Sequence, residues 1–226
     1  DQDEITFSSL VGSDHVKNEL EYSFYDDLKV IENIKDGEIE EIKKYIRKYN
    51  SVNHKLSHND YRYRIIHIAA IVGNTDILNM LVALNADLNV TDKYGNTPLH
   101  LAAEKGHKLF VLNLMNQGAD NTIKNGRGET PIFGAIRNGN MGLQRIMHNG
   151  GSDINEVNKE GDNLIHHAIK YSTNKDETTR FLIDYGVDLQ MRNKYNKLPI
   201  ELANLEAQKL KSNKAGKSIK SDDDGN

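Results

Sequence analysis

The strongest constraint on this chain is a period. The strings "IIHIAAIVGN" and "PLHLAAEKGH" place His67 and His100 33 residues apart. The same step leads to Phe133 in "TPIFGAIRNGN" and then to His166 in "NLIHHAIK". A second marker keeps the same interval: "NADLN" at 85–89, "GADNT" at 118–122 and "GSDIN" at 151–155. The next copy, "GVDLQ", starts at Gly186, 35 residues after Gly151, so the fourth unit carries two extra residues. Their expected place is between Tyr171 and Glu177. A unit of this size cannot bury its apolar face alone. Stacking buries it against neighbours, and the two ends need polar caps.

The second unit, "DKYGNTPLHLAAEKGHKLFVLNLMNQGADNTIK" at 92–124, can be read position by position. Thr97 is a good N-cap and Pro98 suits a first helical turn, where its missing N–H costs nothing. Leu99, Ala102 and Ala103 give a short helix small enough for close neighbours. Gly106 ends it with a positive φ. Phe110, Val111, Leu114 and Met115 form the apolar stripe of a second, antiparallel helix. Gly118 ends that one, and a turn then projects as a hairpin-like finger into the next unit.

The unit resembles the ankyrin-repeat pattern D-x-x-G-x-T-P-L-H-x-A-A-x-x-G-H, an apolar helix, then G-A-D, almost letter for letter. The resemblance covers roughly 59–203 and extends weakly back to about 25. It implies an all-α solenoid with short β-hairpin-like fingers and about four full repeats. The expected organisation is an N-terminal segment at 1–24, as an extra helix or a mobile stretch, and an N-terminal capping repeat at 25–58. Repeats follow at 59–91, 92–124, 125–157 and 158–192, then a polar C-terminal cap at 193–211 and a disordered tail at 212–226. In the capping repeat Ile31, Ile34, Ile39, Ile42 and Ile46 have helical spacing.

Several positions depart from the pattern. Arg64 and Ile65 replace Thr-Pro in the first unit, and Asn163 and Leu164 do so in the fourth. Asn85 replaces a glycine, at a left-handed position that asparagine tolerates best among the other residues. In the second unit Asn113 stands where the family places a buried leucine, while Leu109 and Leu112 occupy positions usually polar. Two readings are open: a local shift of the second helix, or an apolar patch on the convex side.

Composition removes several classes of function. There are no cysteines, which excludes disulfides, thiolate metal sites and cysteine nucleophiles. The net charge of -4 argues against a general nucleic-acid binder. No apolar run reaches 18 residues, so no membrane-spanning helix is expected. His54 and His58 have metal-ligand spacing, but lie in "SVNHKLSHND", which reads as loop without a third ligand. "NGRGETP" lacks the lysine and spacing of a phosphate loop. No catalytic constellation, cofactor or metal is expected. The lysines at 209, 211, 214, 217 and 220 precede Asp222–Asp224 and read as a mixed-charge tail.

The resemblance implies structural roles for Thr97, Pro98 and Gly106, and for His67, His100 and His166 as backbone ties between adjacent units. It also implies that a partner protein binds the concave side, formed by the finger tips and the exposed faces of the first helices. The aligned positions are Asp60, Tyr61, Tyr63, Ile71 and Val72 in the first unit, and Lys93, Tyr94, Asn96, Glu104 and Lys105 in the second. Arg127, Glu129, Arg137 and Asn138 follow in the third, and Lys159, Glu160, Asp162 and Tyr171 in the fourth. Tyrosine and arginine commonly anchor interfaces, and Tyr61, Tyr63, Ile71, Val72 and Tyr94 form the expected hot spot. The expected protein is a monomeric, non-enzymatic adaptor or scaffold. Two alternatives stand beside it: the substrate-targeting part of a larger enzyme, and a homo-oligomeric scaffold. The Lys-, Asn- and Ile-rich composition resembles ankyrin-repeat proteins of intracellular bacteria. That likeness implies either a cytoplasmic protein or an effector secreted into a host cell, with a removed N-terminal signal left open.

Overall fold

The structure is a computed structural model that describes the backbone of residues 14–56 and 61–218, and the side chains of 25–56 and 61–209. Residues 1–13, His58, Asp60 and the chain beyond Ser218 lie outside it. So do the side chains of the remainder of the 1–24 segment and of the lysine-rich tail after Lys209.

Eleven helices follow one another among the described residues: α1 (Asp14–Asp36), α2 (Ile39–Tyr49), α3 (Ile65–Val72), α4 (Thr75–Ala83), α5 (Pro98–Lys105), α6 (Lys108–Asn116), α7 (Pro131–Asn138), α8 (Met141–Asn149), α9 (Leu164–Tyr171), α10 (Lys175–Asp184) and α11 (Pro199–Ser218). They form two rows. The inner row is α1, α3, α5, α7, α9 and α11, each packed on the one before. From α4 onward the outer helices α4, α6, α8 and α10 form the second row. This is an all-α repeat solenoid. The core is a continuous strip between the rows, with Phe110, Phe133 and Phe181 among its largest fully buried side chains.

Local chemistry explains the helix ends. The Thr97 hydroxyl accepts from the His100 N–H at 3.4 Å, and Pro98 opens α5. Asn163 does the same work in the fourth unit, its Oδ1 accepting from the His166 N–H at 3.3 Å. Its Nδ2 also donates to the Asp188 carbonyl at 2.7 Å, from a second polar atom that threonine lacks. Gly106 ends α5 at φ 81°, and Asn85 sits at φ 58°. At Gly134 the constraint is space: a Cβ there would lie 3.0 Å from the Glu104 nitrogen, so only glycine lets α7 approach α5 this closely. The two extra residues of the fourth unit divide between the longer α9–α10 connection and α10 itself, which has ten residues where α8 has nine.

The fingers contain no strand among the described residues. They are tight turns, with isolated bridges at Lys55–Arg64 and Val157–Asn163. In the second finger the Asp92 carboxylate accepts from the Tyr94 and Asn96 N–H groups, both at 2.8 Å. Asn125, Asn158 and Asn193 cap the later turns in the same way. Each tip then bonds to the one before it: Lys93 N–H to the Tyr61 carbonyl at 2.8 Å, Gly126 to Tyr94 at 2.7 Å, Lys159 to Arg127 at 3.0 Å and Lys194 to Glu160 at 2.9 Å.

Three expectations change. The second helix of the second unit does not shift: α6 keeps the register of α4 and α8, so Phe110, Val111 and Leu114 are buried and Leu109 and Leu112 face solvent. The boundary expected between 24 and 25 falls inside α1, and the one between 211 and 212 falls inside α11. Neither stretch contains a proline or a left-handed glycine to stop a helix there. Third, the end of the solenoid is not uniformly polar, because Ile200 on α11 is 62% exposed.

Candidate functional site

The histidines at the repeated position are held from both sides. His100 Nδ1 accepts from the Thr97 N–H at 3.1 Å, while Nε2 lies 3.0 Å from the Glu129 carbonyl oxygen in the next finger. His67 accepts from the Arg64 N–H at 3.0 Å and reaches the Val90 carbonyl at 3.2 Å. His166 sits 2.6 Å from Asn163 Oδ1 and 2.9 Å from the Lys197 carbonyl. All three rings are buried, so none faces a substrate. Burial pushes His67 down to about 4 and holds His100 below its ordinary value. The Phe133 ring fills the same place in the third unit without either bond.

With the turn backbones tied in this way, the tip side chains are left free to vary. At the first two tips they form one aromatic group. Tyr61 and Tyr63 stack at 5.2 Å between centroids with 12° between planes, and Tyr94 lies 5.9 Å from Tyr61. Lys93 Nζ sits 4.6 Å from the Tyr61 ring centre and 5.0 Å from that of Tyr94. Tyr61 and Tyr94 remain 44% and 52% exposed. Tyr63 is deeper, beside His67 at 5.7 Å, and burial pushes its hydroxyl up to about 12. Ile71 and Val72 belong to the far end of α3, about 12 Å along the helix axis. Both are half-buried against the core.

The other predicted residues gather from the end of the second unit to the fourth. Arg137 bonds Glu104 at 3.1 Å and Glu129 at 3.0 Å, and Arg127 bonds Glu129 at 2.9 Å. Lys170 pairs with Asp162. A cleft of about 410 Å³ lies between the two fingers, bordered by Arg127, Arg137, Lys159, Glu160 and Tyr171. Glu129 and Asp162, expected at the surface, are instead buried. Their side chains point back toward the inner helices, where Arg137 and Lys170 meet them. Burial pushes the Glu129 carboxyl up, but the charge of His167 when protonated and those of Arg137 and Arg127 outweigh it, so the group sits below its ordinary value.

The side chains of the His166-His167 doublet diverge on a helix, which predicts that His167 faces another layer or solvent. It is fully buried, edge-on to Phe133 at 5.1 Å and 4.8 Å from Tyr171. Neither ring nitrogen has a hydrogen-bond partner, and Nδ1 stands 3.9 Å from the Glu129 carboxylate. Burial pushes it down to about 4. Phe133 belongs to the neighbouring layer, one of the two surroundings expected for this ring. The one available signal was the His166-His167 doublet, whose second member points to the opposite flank of a short helix.

Among the described residues no group of three His, Asp or Glu side chains could hold a metal ion, and no helix is long and apolar enough to cross a membrane. Sequence comparison with curated proteins finds no match. The family described as ankyrin repeats, in three copies, matches residues 32–125 and 111–193. That match spans well over half of the chain and the same helix pairs that build the solenoid, and the chain therefore belongs to the ankyrin-repeat family, whose repeats are generally protein–protein interaction modules.

Proposed function

We propose that this protein is a recognition module that binds a partner protein on its concave face and performs no chemistry of its own. The observation that carries the reading is the cluster of Tyr61, Tyr63, Tyr94 and Lys93. These are large, amphipathic side chains with few rotatable bonds in the rings, on tips that hydrogen-bond to one another through the Tyr61 and Tyr94 carbonyls, which limits the entropy lost when they are covered. The stability of the solenoid does not require two half-exposed tyrosines beside a lysine. The ion-pair chain through Glu104, Arg137, Glu129 and Arg127, with Tyr171 beside it, extends the same face and gives a partner polar rim contacts. The reading takes the module as a monomer. Leu109 and Leu112 on α6 are too few to make the several hundred Å² of apolar surface that marks an oligomer interface.

The test is capture of a partner from host and self lysates with the intact chain, followed by titration against the purified partner. The variant Tyr61→Ala/Tyr94→Ala is expected to weaken binding by at least about a hundredfold, given roughly 2 kcal/mol or more for an anchor residue, with a melt close to the parent because both side chains are exposed. Unchanged affinity in that variant sinks the reading.

A further inference from the structure

Among the described residues, the outer row of helices ends one place short of the inner row. Helices α5, α7 and α11 all begin at a proline, Pro98, Pro131 and Pro199. α3, α5 and α7 stop after eight residues, at Gly73, Gly106 and Gly139, each with φ between 73° and 81°. The equivalent residue in the fifth unit is Ala207, which takes no such conformation. α11 continues to Ser218 instead of turning back. The residues that align with an outer helix, 209–217, read KLKSNKAGK. They lack the apolar set at i, i+1 and i+4 that α4 supplies with Ile77, Leu78 and Leu81 and α6 with Phe110, Val111 and Leu114.

The place of that missing helix is a groove of about 890 Å³, walled by α9, α10 and α11. Its apolar lining includes Ile169, Ile183, Leu189, Ile200, Ala203 and Ala207. Ile183, Leu189 and Ile200 are exposed, whereas the interface that α10 makes on its other side, with α8, is covered. The groove continues that interface by one step, and the same geometry dictates what fits it.

We propose that this groove is a second interaction surface, which seats an amphipathic α-helix of a partner protein as the fifth outer helix of the stack. The helix lies alongside α10 in the same direction and antiparallel to α11. About two to three turns suffice. Its apolar residues fall at i, i+1 and i+4, and its polar face meets the rim of Lys175, Asp176, Arg180 and Glu206. The surface is at the end of the solenoid, separate from the tyrosine tips, so one module can hold two partners.

The probe is a peptide of residues 106–120, the chain's own α6 with its flanks, helix-stapled on its polar face. It is titrated into the intact 226-residue chain carrying labelled isoleucine methyl groups. The expected result is saturable shifts at Ile169, Ile183 and Ile200, with little change elsewhere, and binding in the micromolar to sub-millimolar range. Ile200→Lys and, separately, Ile183→Lys are expected to weaken it at least about tenfold; both side chains are exposed, so the melts stay near the parent. A peptide with Ser in place of Phe110, Val111 and Leu114 is expected not to bind. Absence of saturable shifts at these methyls up to about 1 mM overturns the proposal. So does self-association of the protein alone that Ile200→Lys abolishes, since the occupant is then a second copy.

Discussion

His100 Nε2 lies 3.0 Å from the carbonyl oxygen of Glu129, 29 residues further along the chain. One ring thus joins the start of an inner helix to the finger of the following unit. In a stack where each unit touches only its neighbours, such a tie counts toward the interface term rather than the unit's own stability. His100→Ala removes it and leaves a buried carbonyl and a cavity. The expected cost is about 2–4 kcal/mol in denaturant unfolding. A loss below about 0.5 kcal/mol would refute the role.

Glu129 holds two arginines from a buried position. Glu129→Ala deletes the acceptor for Arg127 and the nearer acceptor for Arg137, which keeps only Glu104. Breaking a buried pair from one side is expected to cost about 3 kcal/mol. Arg127→Ala, at an exposed side chain, is expected to cost less than about 1 kcal/mol. Equal effects of the two changes would show that the burial of Glu129 carries no weight.

Acid should weaken the fold through its buried histidines. His67 and His167 titrate near 4 in the folded chain and near 6.5 when unfolded. Above about pH 6.5 both states are neutral and nothing is lost. Between about 6.5 and 4 the unfolded chain takes up protons that the folded chain does not, so stability falls with falling pH. Together the two rings account for a few kcal/mol over that window. His167→Phe, which breaks no hydrogen bond and keeps a ring against Phe133 and Tyr171, is expected to flatten the dependence of the melting temperature on pH from 7 to 5. An unchanged slope would mean that His167 is not neutral in the fold.

Two backbone positions give opposite expectations. Arg62 has φ 58°, where the later fingers have Gly95, Gly128 and Gly161. Arg62→Gly relieves that conformation and is expected to stabilise by about 0.5–1 kcal/mol. Gly134→Ala places a Cβ 3.0 Å from the Glu104 nitrogen and 3.3 Å from the His100 carbonyl oxygen. Helix propensity favours alanine, but two backbones must move apart, and the net expectation is a loss of about 1–3 kcal/mol. Chemical denaturation of both variants checks the pair of signs.

The period of 33 determined the repeat architecture, because each element of the unit depends on local chemistry that short strings encode. Thr97-Pro98 starts a helix, Gly106 stops it, and the spacing of Phe110, Val111 and Leu114 turns one face inward. The tips were legible for the same reason. A period marks which residues the fold constrains and which it leaves free, and Tyr61, Tyr63, Lys93 and Tyr94 fall in the second class. Contacts between units were decided only in the tertiary structure. That Glu129 turns inward to Arg137, that His167 is sealed behind it, and that Ile71 sits apart from Tyr61 all depend on where a neighbouring repeat lies. The open groove at Ile183 and Ile200 belongs to the same class. A string shows that Ala207 is not glycine, but the exposed wall of α10 exists only once the stack is built, with no outer helix after α10 among the described residues.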